Sequence, residues 1–194
     1  DKELFLLHFQ GVYRAEDGAL SHLEALIRMT DERNPDQLIM PAHFIQPAEK
    51  SGRILDIDRW VIHEVLRRLA ENPAIPSIAI NLSGRSLSEP SLPQYISDEL
   101  RQAGVNPSRL IVEITETAAV SDLHDAQRMI EALRQLGCSV YLDDFGVGFA
   151  SFAYLKHLQV DTIKIDGIFI RDLSNDPDNQ VFVQAMVSVA RGLG

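Results

Sequence analysis

Three short β-branched runs each end in a polar residue able to bind a metal ion, and they recur at nearly equal intervals: Ile78-Ala-Ile-Asn81, Leu110-Ile-Val-Glu113 and Ser139-Val-Tyr-Leu-Asp143. The steps from Asn81 to Glu113 and from Glu113 to Asp143 are 32 and 30 residues, the length of one strand-helix-strand unit, roughly 30 residues. Such spacing predicts a parallel sheet whose strands all end at one rim. The third run ends in two adjacent carboxylates, Asp143 and Asp144, followed by Phe-Gly-Val-Gly. Paired acids at a strand end serve packing poorly and point to a divalent-metal site.

The segments between these runs supply the rest of the pattern. Leu4 to Phe9 and Leu20 to Ile27 read as strands joined by Arg14-Ala-Glu-Asp-Gly18, whose Asp-Gly favours a tight hairpin turn, so the chain opens antiparallel. A polar stretch with Pro35 and Pro41 follows. Phe44 to Lys50 reads as a short helix and Asp58 to Glu71 as an amphipathic one, with Val61, Val65, Leu66 and Leu69 on one face. Further helices are expected over Gln94 to Ala103, Leu123 to Leu136, Phe152 to Leu158 and Asn179 to Arg191, alternating with strands ending at Asn81, Thr115, Asp143 and Ile165. This layout is that of a TIM-like (β/α)8 barrel, with a doubly wound sheet as the rival; both place ligands at strand C-terminal ends. About six strands are legible, whereas a closed barrel takes about 250 residues, so the barrel is expected to be C-terminally incomplete within this sequence.

With 194 residues, 45% of them apolar, the chain can bury one sizeable core as a single domain. A net charge of -10 argues against a grip on a nucleic acid polymer, which needs clustered Lys and Arg. An anionic ligand would need metal ions or a local cation. The single cysteine, Cys138, excludes an internal disulfide, fits a reducing compartment and reads as core. No apolar run approaches the roughly 18 residues of a membrane span, and Asp-Lys-Glu at the start is no signal peptide, so a cytoplasmic location without membrane contact is expected. A start without Met and an end at Arg191-Gly-Leu-Gly194 fit a piece of a longer protein.

Glu24 lies inside an otherwise apolar strand, where a carboxylate is costly unless paired or bound to a metal. With Asn81, Glu113, Asp143 and Asp144 it makes an all-oxygen set suited to Mg2+ or Mn2+ rather than zinc. Each of these residues taken singly is ordinarily a surface acid or a turn residue; five at consecutive strand ends are not. Lys164, in Ile163-Lys-Ile-Asp166, is a cation in a β-branched strand that could contact a phosphate or a water, or pair with Asp143 or Asp144. His22 alternates with Glu24 and would share its face, although a core-filling histidine is the commoner case. Glu131-Ala-Leu133 repeats the tripeptide of Glu24 to Leu26 on the solvated face of a helix. Gly146-Val-Gly148-Phe-Ala-Ser151, with Asp166 twenty residues after Gly146, imitates a dinucleotide fingerprint. Serine in place of its third glycine, and two acids that would repel a pyrophosphate, make it a decoy.

Glu24-Ala-Leu26, Asn81-Leu-Ser83, Glu113-Ile-Thr-Glu116, Asp143-Asp-Phe-Gly146 and Ile163-Lys-Ile-Asp166 together resemble, in order and spacing, the EAL-domain family of bacterial cyclic di-GMP phosphodiesterases. Phe44-Ile-Gln-Pro-Ala-Glu49-Lys-Ser-Gly52 and Asp58-Arg-Trp60 extend the likeness over nearly the whole chain. The resemblance implies a TIM barrel with an antiparallel first strand that hydrolyses cyclic di-GMP to linear pGpG with two Mg2+ or Mn2+ ions. Matched by motif, Glu24, Asn81, Glu113 and Asp143 would bind metal and Asp144 the second ion. Lys164, with Glu24 and Asp143, would serve catalysis; Arg28, Leu26 and Asp144 would contact the substrate, and Glu116 would anchor the loop after Asp144. It further implies fusion to sensory or GGDEF-type domains, and a homodimer is among the expected assemblies. The rival it leaves open is a non-catalytic cyclic di-GMP sensor. In the family the pattern continues beyond the position of Gly194 with a further catalytic Glu. This sequence also departs from it at Val147-Gly-Phe-Ala-Ser151, usually Thr-Gly-Tyr-Ser-Ser, and at His22-Leu23, where small residues usually stand.

Overall fold

A computed structural model describes residues 4–148 and 152–193. Phe149 and Ala150, two of the positions that depart from the family pattern, lie with Ser151 outside the described residues. The chain opens with a hairpin, β1 (Phe5–Tyr13) and β2 (Leu20–Asp31), and a third antiparallel strand, β3 (Asn34–Ile39). The expected Asp-Gly turn forms: the Asp17 carboxylate accepts from the Arg14 guanidinium and from the Ala19 amide, and Gly18 takes a φ of 68°. β3 was not legible in the sequence, because its Pro35 argues against a strand. Among the described residues it pairs only with β2, and a proline that cannot donate to a ladder is tolerated on such an edge.

From there strands and helices alternate: α1 (Pro41–Ser51), α2 (Ile54–Glu71), β4 (Ile78–Asn81), α3 (Gly84–Leu87), α4 (Leu92–Ala103), β5 (Leu110–Thr115), α5 (Glu116–Ser121), α6 (Leu123–Leu136), β6 (Ser139–Phe145), β7 (Thr162–Ile165) and α7 (Pro177–Leu193). The helix expected over Phe152 to Leu158 is a 3-10 helix, Phe152–His157. In sheet order the strands run β1-β2-β4-β5-β6-β7. β1 is antiparallel to β2, and every pairing from β2 to β7 along this path is parallel. The fold is α/β, and its strand-by-strand progression is that of a (β/α) barrel wall.

Two faces of this sheet do different work. Ile78, Ile80, Leu110, Val112, Ile114, Val140 and Leu142 are buried in one apolar cluster with Val65, Leu66 and Leu69 of α2, Ile96 and Leu100 of α4, and Met129, Ile130 and Leu133 of α6. Burying each Ile or Leu of this set stabilises the fold by about 1.5–3 kcal/mol. Side chains alternate across a strand, so Glu24, Ala79, Asn81, Ile111, Glu113, Tyr141 and Asp143 face the other way, toward the barrel interior. No described helix is long and apolar enough to cross a membrane.

Candidate metal centre

Register decides which interior residues meet. Asn81 pairs with Glu113 across β4 and β5, Thr115 pairs with Asp143 across β5 and β6, and Leu142 pairs with Ile163, which places Lys164 beside Asp143. The Lys164 ammonium donates to Glu113 Oε2 at 2.6 Å and to Asp143 Oδ2 at 3.1 Å, and it lies 3.6 Å from Glu24 Oε2. Asn81 Nδ2 donates to Glu24 Oε1 at 3.0 Å. One oxygen each from Glu24, Glu113 and Asp143 falls within 4.8 Å of the others. Thus Glu24, Asn81, Glu113, Asp143 and Lys164, expected together, do converge, and Lys164 pairs with three acids rather than one.

Glu113 is only 1% exposed and its Oε1 has no hydrogen-bond partner among the described residues. Burial pushes its carboxyl up to about 7, against the pull of Lys164. Burial alone would lower the lysine, but the hydrogen bond and charge of Glu113, with Asp143 and Glu24, hold it at about 12. An under-satisfied acid in an all-oxygen cluster is the donor set that Mg2+ or Mn2+ takes. His22 is buried beside this cluster, on the face of Glu24 as expected, with its ring edge-on to Tyr141. Burial, then the Lys164 cation, lowers its pKa.

Asp144 stands apart from the triad. The pairing of β6 with β7 shifts register between Leu142 and Phe145, and Asp144 takes a φ of 54°, rare for a side chain other than Gly, Asn or Asp. The irregularity falls at the two consecutive acids, Asp143 and Asp144, where the regular alternation of a strand is broken. Partial burial, then Asp143 and Asp166, raises the Asp144 carboxyl above its ordinary value. The following turn is pinned from β5: Glu116, 3% exposed, accepts from the amides of Gly146 at 2.9 Å and Gly148 at 3.1 Å through Oε2 and from the Tyr154 hydroxyl through Oε1. Gly146, at φ 103°, presses so close to Met186 and Phe169 that an added Cβ would lie 2.5 Å from the Met186 methyl. These bonds tie the turn after Asp144 to Glu116. These contacts also dispose of the dinucleotide reading, since the glycine amides that would cradle a pyrophosphate are already taken.

Beside the acids lies a cleft of about 340 Å3 lined by Leu26, Arg28, Ile45, Glu49, Asp58 and Asn81, among others. Arg28 and Leu26 thus line a cleft that shares Asn81 with the acid cluster. The sequence offered Glu49, Asp58 and Asp166 only as parts of matched motifs, without a role in the site, and gave no sign of Tyr154. For Asp58 a signal was there: it falls on the buried stripe of α2 with Ile54, Ile57, Val61 and Val65. Its Oδ2 accepts from the amide and hydroxyl of Ser83 at 3.1 and 2.6 Å and from the Ser86 hydroxyl at 2.6 Å, fixing the turn after Asn81. Glu131 is exposed, as expected.

The family model described as EAL domain matches residues 1–194. Cyclic di-GMP phosphodiesterase PdeF of Escherichia coli is 40% identical over 172 residues, 87% of this chain and 23% of that protein. The bifunctional diguanylate cyclase/cyclic di-GMP phosphodiesterase MucR of Pseudomonas aeruginosa is 34% identical over 197 residues, 100% of this chain and 28% of that protein, so the chain spans about a quarter of these relatives. The solved MucR phosphodiesterase in complex with c-di-GMP superposes with a TM-score of 0.89 at 34% identity, covering 99% of this chain and 78% of that one. The FimX EAL domain of Pseudomonas aeruginosa bound to c-di-GMP gives 0.87 at 33% identity, covering 96% and 75%.

Proposed function

The chain belongs to the EAL domain family, with its TIM-like barrel fold, and on that premise we propose that residues 1–194 form a phosphodiesterase domain that hydrolyses cyclic di-GMP to linear pGpG with two Mg2+ or Mn2+ ions. The observation that carries the proposal is the convergence of Glu24, Glu113 and Asp143, together with a buried Glu113 oxygen that has no partner among the described residues. A sensor that only bound the nucleotide would have no use for that arrangement. Glu24, Asn81, Glu113 and Asp143 would hold the first ion and Asp144 the second. The paired ions supply an activated water and neutralise charge on the attacking and leaving oxygens.

The chain's own residues do the rest. Lys164 gathers three acids at one point before any ion binds, and its cation positions a phosphate oxygen or the water. Arg28 takes a phosphate at the mouth of the cleft, and Leu26 with Ile45 gives its wall an apolar surface for a flat ring. Such a site lets a protein of net charge -10 accept a dianion. A cytoplasmic location, a homodimer and fusion to sensory or GGDEF-type domains belong to the same proposal; the lengths of the relatives support the fusion.

Asp143→Asn, made in the protein that carries this domain, should abolish Mg2+- or Mn2+-dependent formation of linear pGpG while the far-UV circular dichroism stays unchanged. Turnover within a few-fold of the unaltered protein would sink the assignment. Calorimetry should register binding of cyclic di-GMP and none of NAD.

A further inference from the structure

The loop that carries Asp144 is fastened to one carboxylate from both ends. On the entry side the amides of Gly146 and Gly148 donate to Glu116 Oε2; on the exit side, past the intervening residues, the Tyr154 hydroxyl donates to Oε1. Glu116 is itself fixed, because it opens α5 directly after β5, and Thr115 caps that helix by accepting from the Ala118 amide. Gly148 is packed so tightly on the Glu116 carboxylate that an added Cβ would lie 3.1 Å from it. Among the described residues three donors meet this carboxylate: two are the loop amides of Gly146 and Gly148, and the third, the Tyr154 hydroxyl, lies on the 3-10 helix Phe152–His157.

We propose that Tyr154 is a positioning residue for the metal centre: by holding Glu116 Oε1 it orients the carboxylate so that Oε2 can clamp both glycine amides, and so fixes the left-handed turn at Asp144. The proposal rests on the phosphodiesterase reading, in which Asp144 binds the second ion. Without the hydroxyl, the carboxylate loses the bond that fixes Oε1 and is held among the described residues by the two glycine amides alone, so the turn at Asp144, unfavourable for most side chains, can relax toward commoner backbone angles. Burial, and then Glu116, raises the Tyr154 phenol, so it remains a donor throughout the working range. A hydroxyl that acts through a ligand's supporting loop belongs to the class of outer partners whose removal weakens metal affinity by about 10–100-fold.

The test is a Mn2+ titration of the nucleotide-free protein, followed by the electron paramagnetic resonance signal of free Mn2+, for Tyr154→Phe, Glu116→Gln, the double variant and Asp144→Asn. Tyr95→Phe is the control, since its hydroxyl bonds Arg59 O in the interface of α2 with α4, away from the site. Tyr154→Phe should weaken Mn2+ binding by about tenfold, Glu116→Gln by as much or more, and the double variant by no more than Glu116→Gln alone. Tyr95→Phe should change nothing. Wild-type Mn2+ affinity in Tyr154→Phe, with Asp144→Asn impaired, would overturn the positioning role and leave the metal site standing. Unchanged Mn2+ affinity and stoichiometry in Asp144→Asn would overturn both. Should Tyr154→Phe fail to fold, Glu116→Gln decides: unchanged Mn2+ binding there removes the clamp from the site.

Discussion

Asp58 and Glu113 are carboxylic acids withdrawn from water about equally, at 6% and 1% exposure, yet their surroundings differ in kind. Asp58 sits among neutral donors, with Ser83 giving two hydrogen bonds and Ser86 a third. Among the described residues Glu113 has a single cation on one oxygen, no hydrogen-bond partner on the other, and two more acids facing it. The first region is closed, its polar group satisfied by the fold itself. The second is left incomplete at a cost to stability, an arrangement that could hold an external cation. Both carboxyls are raised, first of all by burial; perturbation alone would not tell them apart, whereas the partner inventory does.

The contrast is sharpest in activity. Glu113→Gln should lower phosphodiesterase turnover by at least about 100-fold, since even outer partners of a metal ligand are worth up to that much, while moving the urea midpoint little. A loss of activity matched by an equal loss of stability would erase the distinction. The mirror experiment is Asp58→Ala, which strands three donors and should cost about 2–4 kcal/mol in denaturant unfolding. Asp58→Asn, which keeps an acceptor, should cost less. Asp58 also carries a pH signature. Its folded pKa lies above its unfolded value of about 3.9, so its contribution is fully present below that value and is lost as pH rises through the folded pKa. Asp58→Asn should flatten that fall in unfolding free energy; an unaltered slope would mean that other groups cause it. The smallest effect is thermal. Mn2+ at 100 times its dissociation constant should add about 2.7 kcal/mol, a rise in Tm of roughly 5–10 °C for a domain of this size. Asp58→Asn should retain the shift and Glu113→Gln should lose it.

Glu113 was legible in the sequence and Asp58 was not, for a physical reason. An acid at the end of an apolar strand breaks a period of two that is short and easily read. An acid on the buried stripe of α2 differs by one position from a solvated one, so its place beside Ile54, Ile57, Val61 and Val65 is a weak signal that its partners settle. β3 escaped for a related reason, because its formation depends on pairing with a neighbour and not on its own composition. The bulge at Asp143 and Asp144 is likewise a property of two strands in register. Of the candidate site, the ligand types and their order were in the sequence; the Lys164 hub, the double fastening on Glu116 and the cleft beside Arg28 are products of assembly.

That assembly has a kinetic meaning. Glu24, Asn81, Glu113, Asp143 and Lys164 come one from each of five neighbouring strands, β2, β4, β5, β6 and β7. No local segment carries two of them, so the cluster exists only after several long loops have closed, the most expensive contacts a folding chain makes. A folding intermediate with the hairpin and the first strand-helix units in place would hold Glu24 and Asn81 and little affinity for a divalent cation. Capture of the ion would then mark the docking of β7, the last of these strands along the chain.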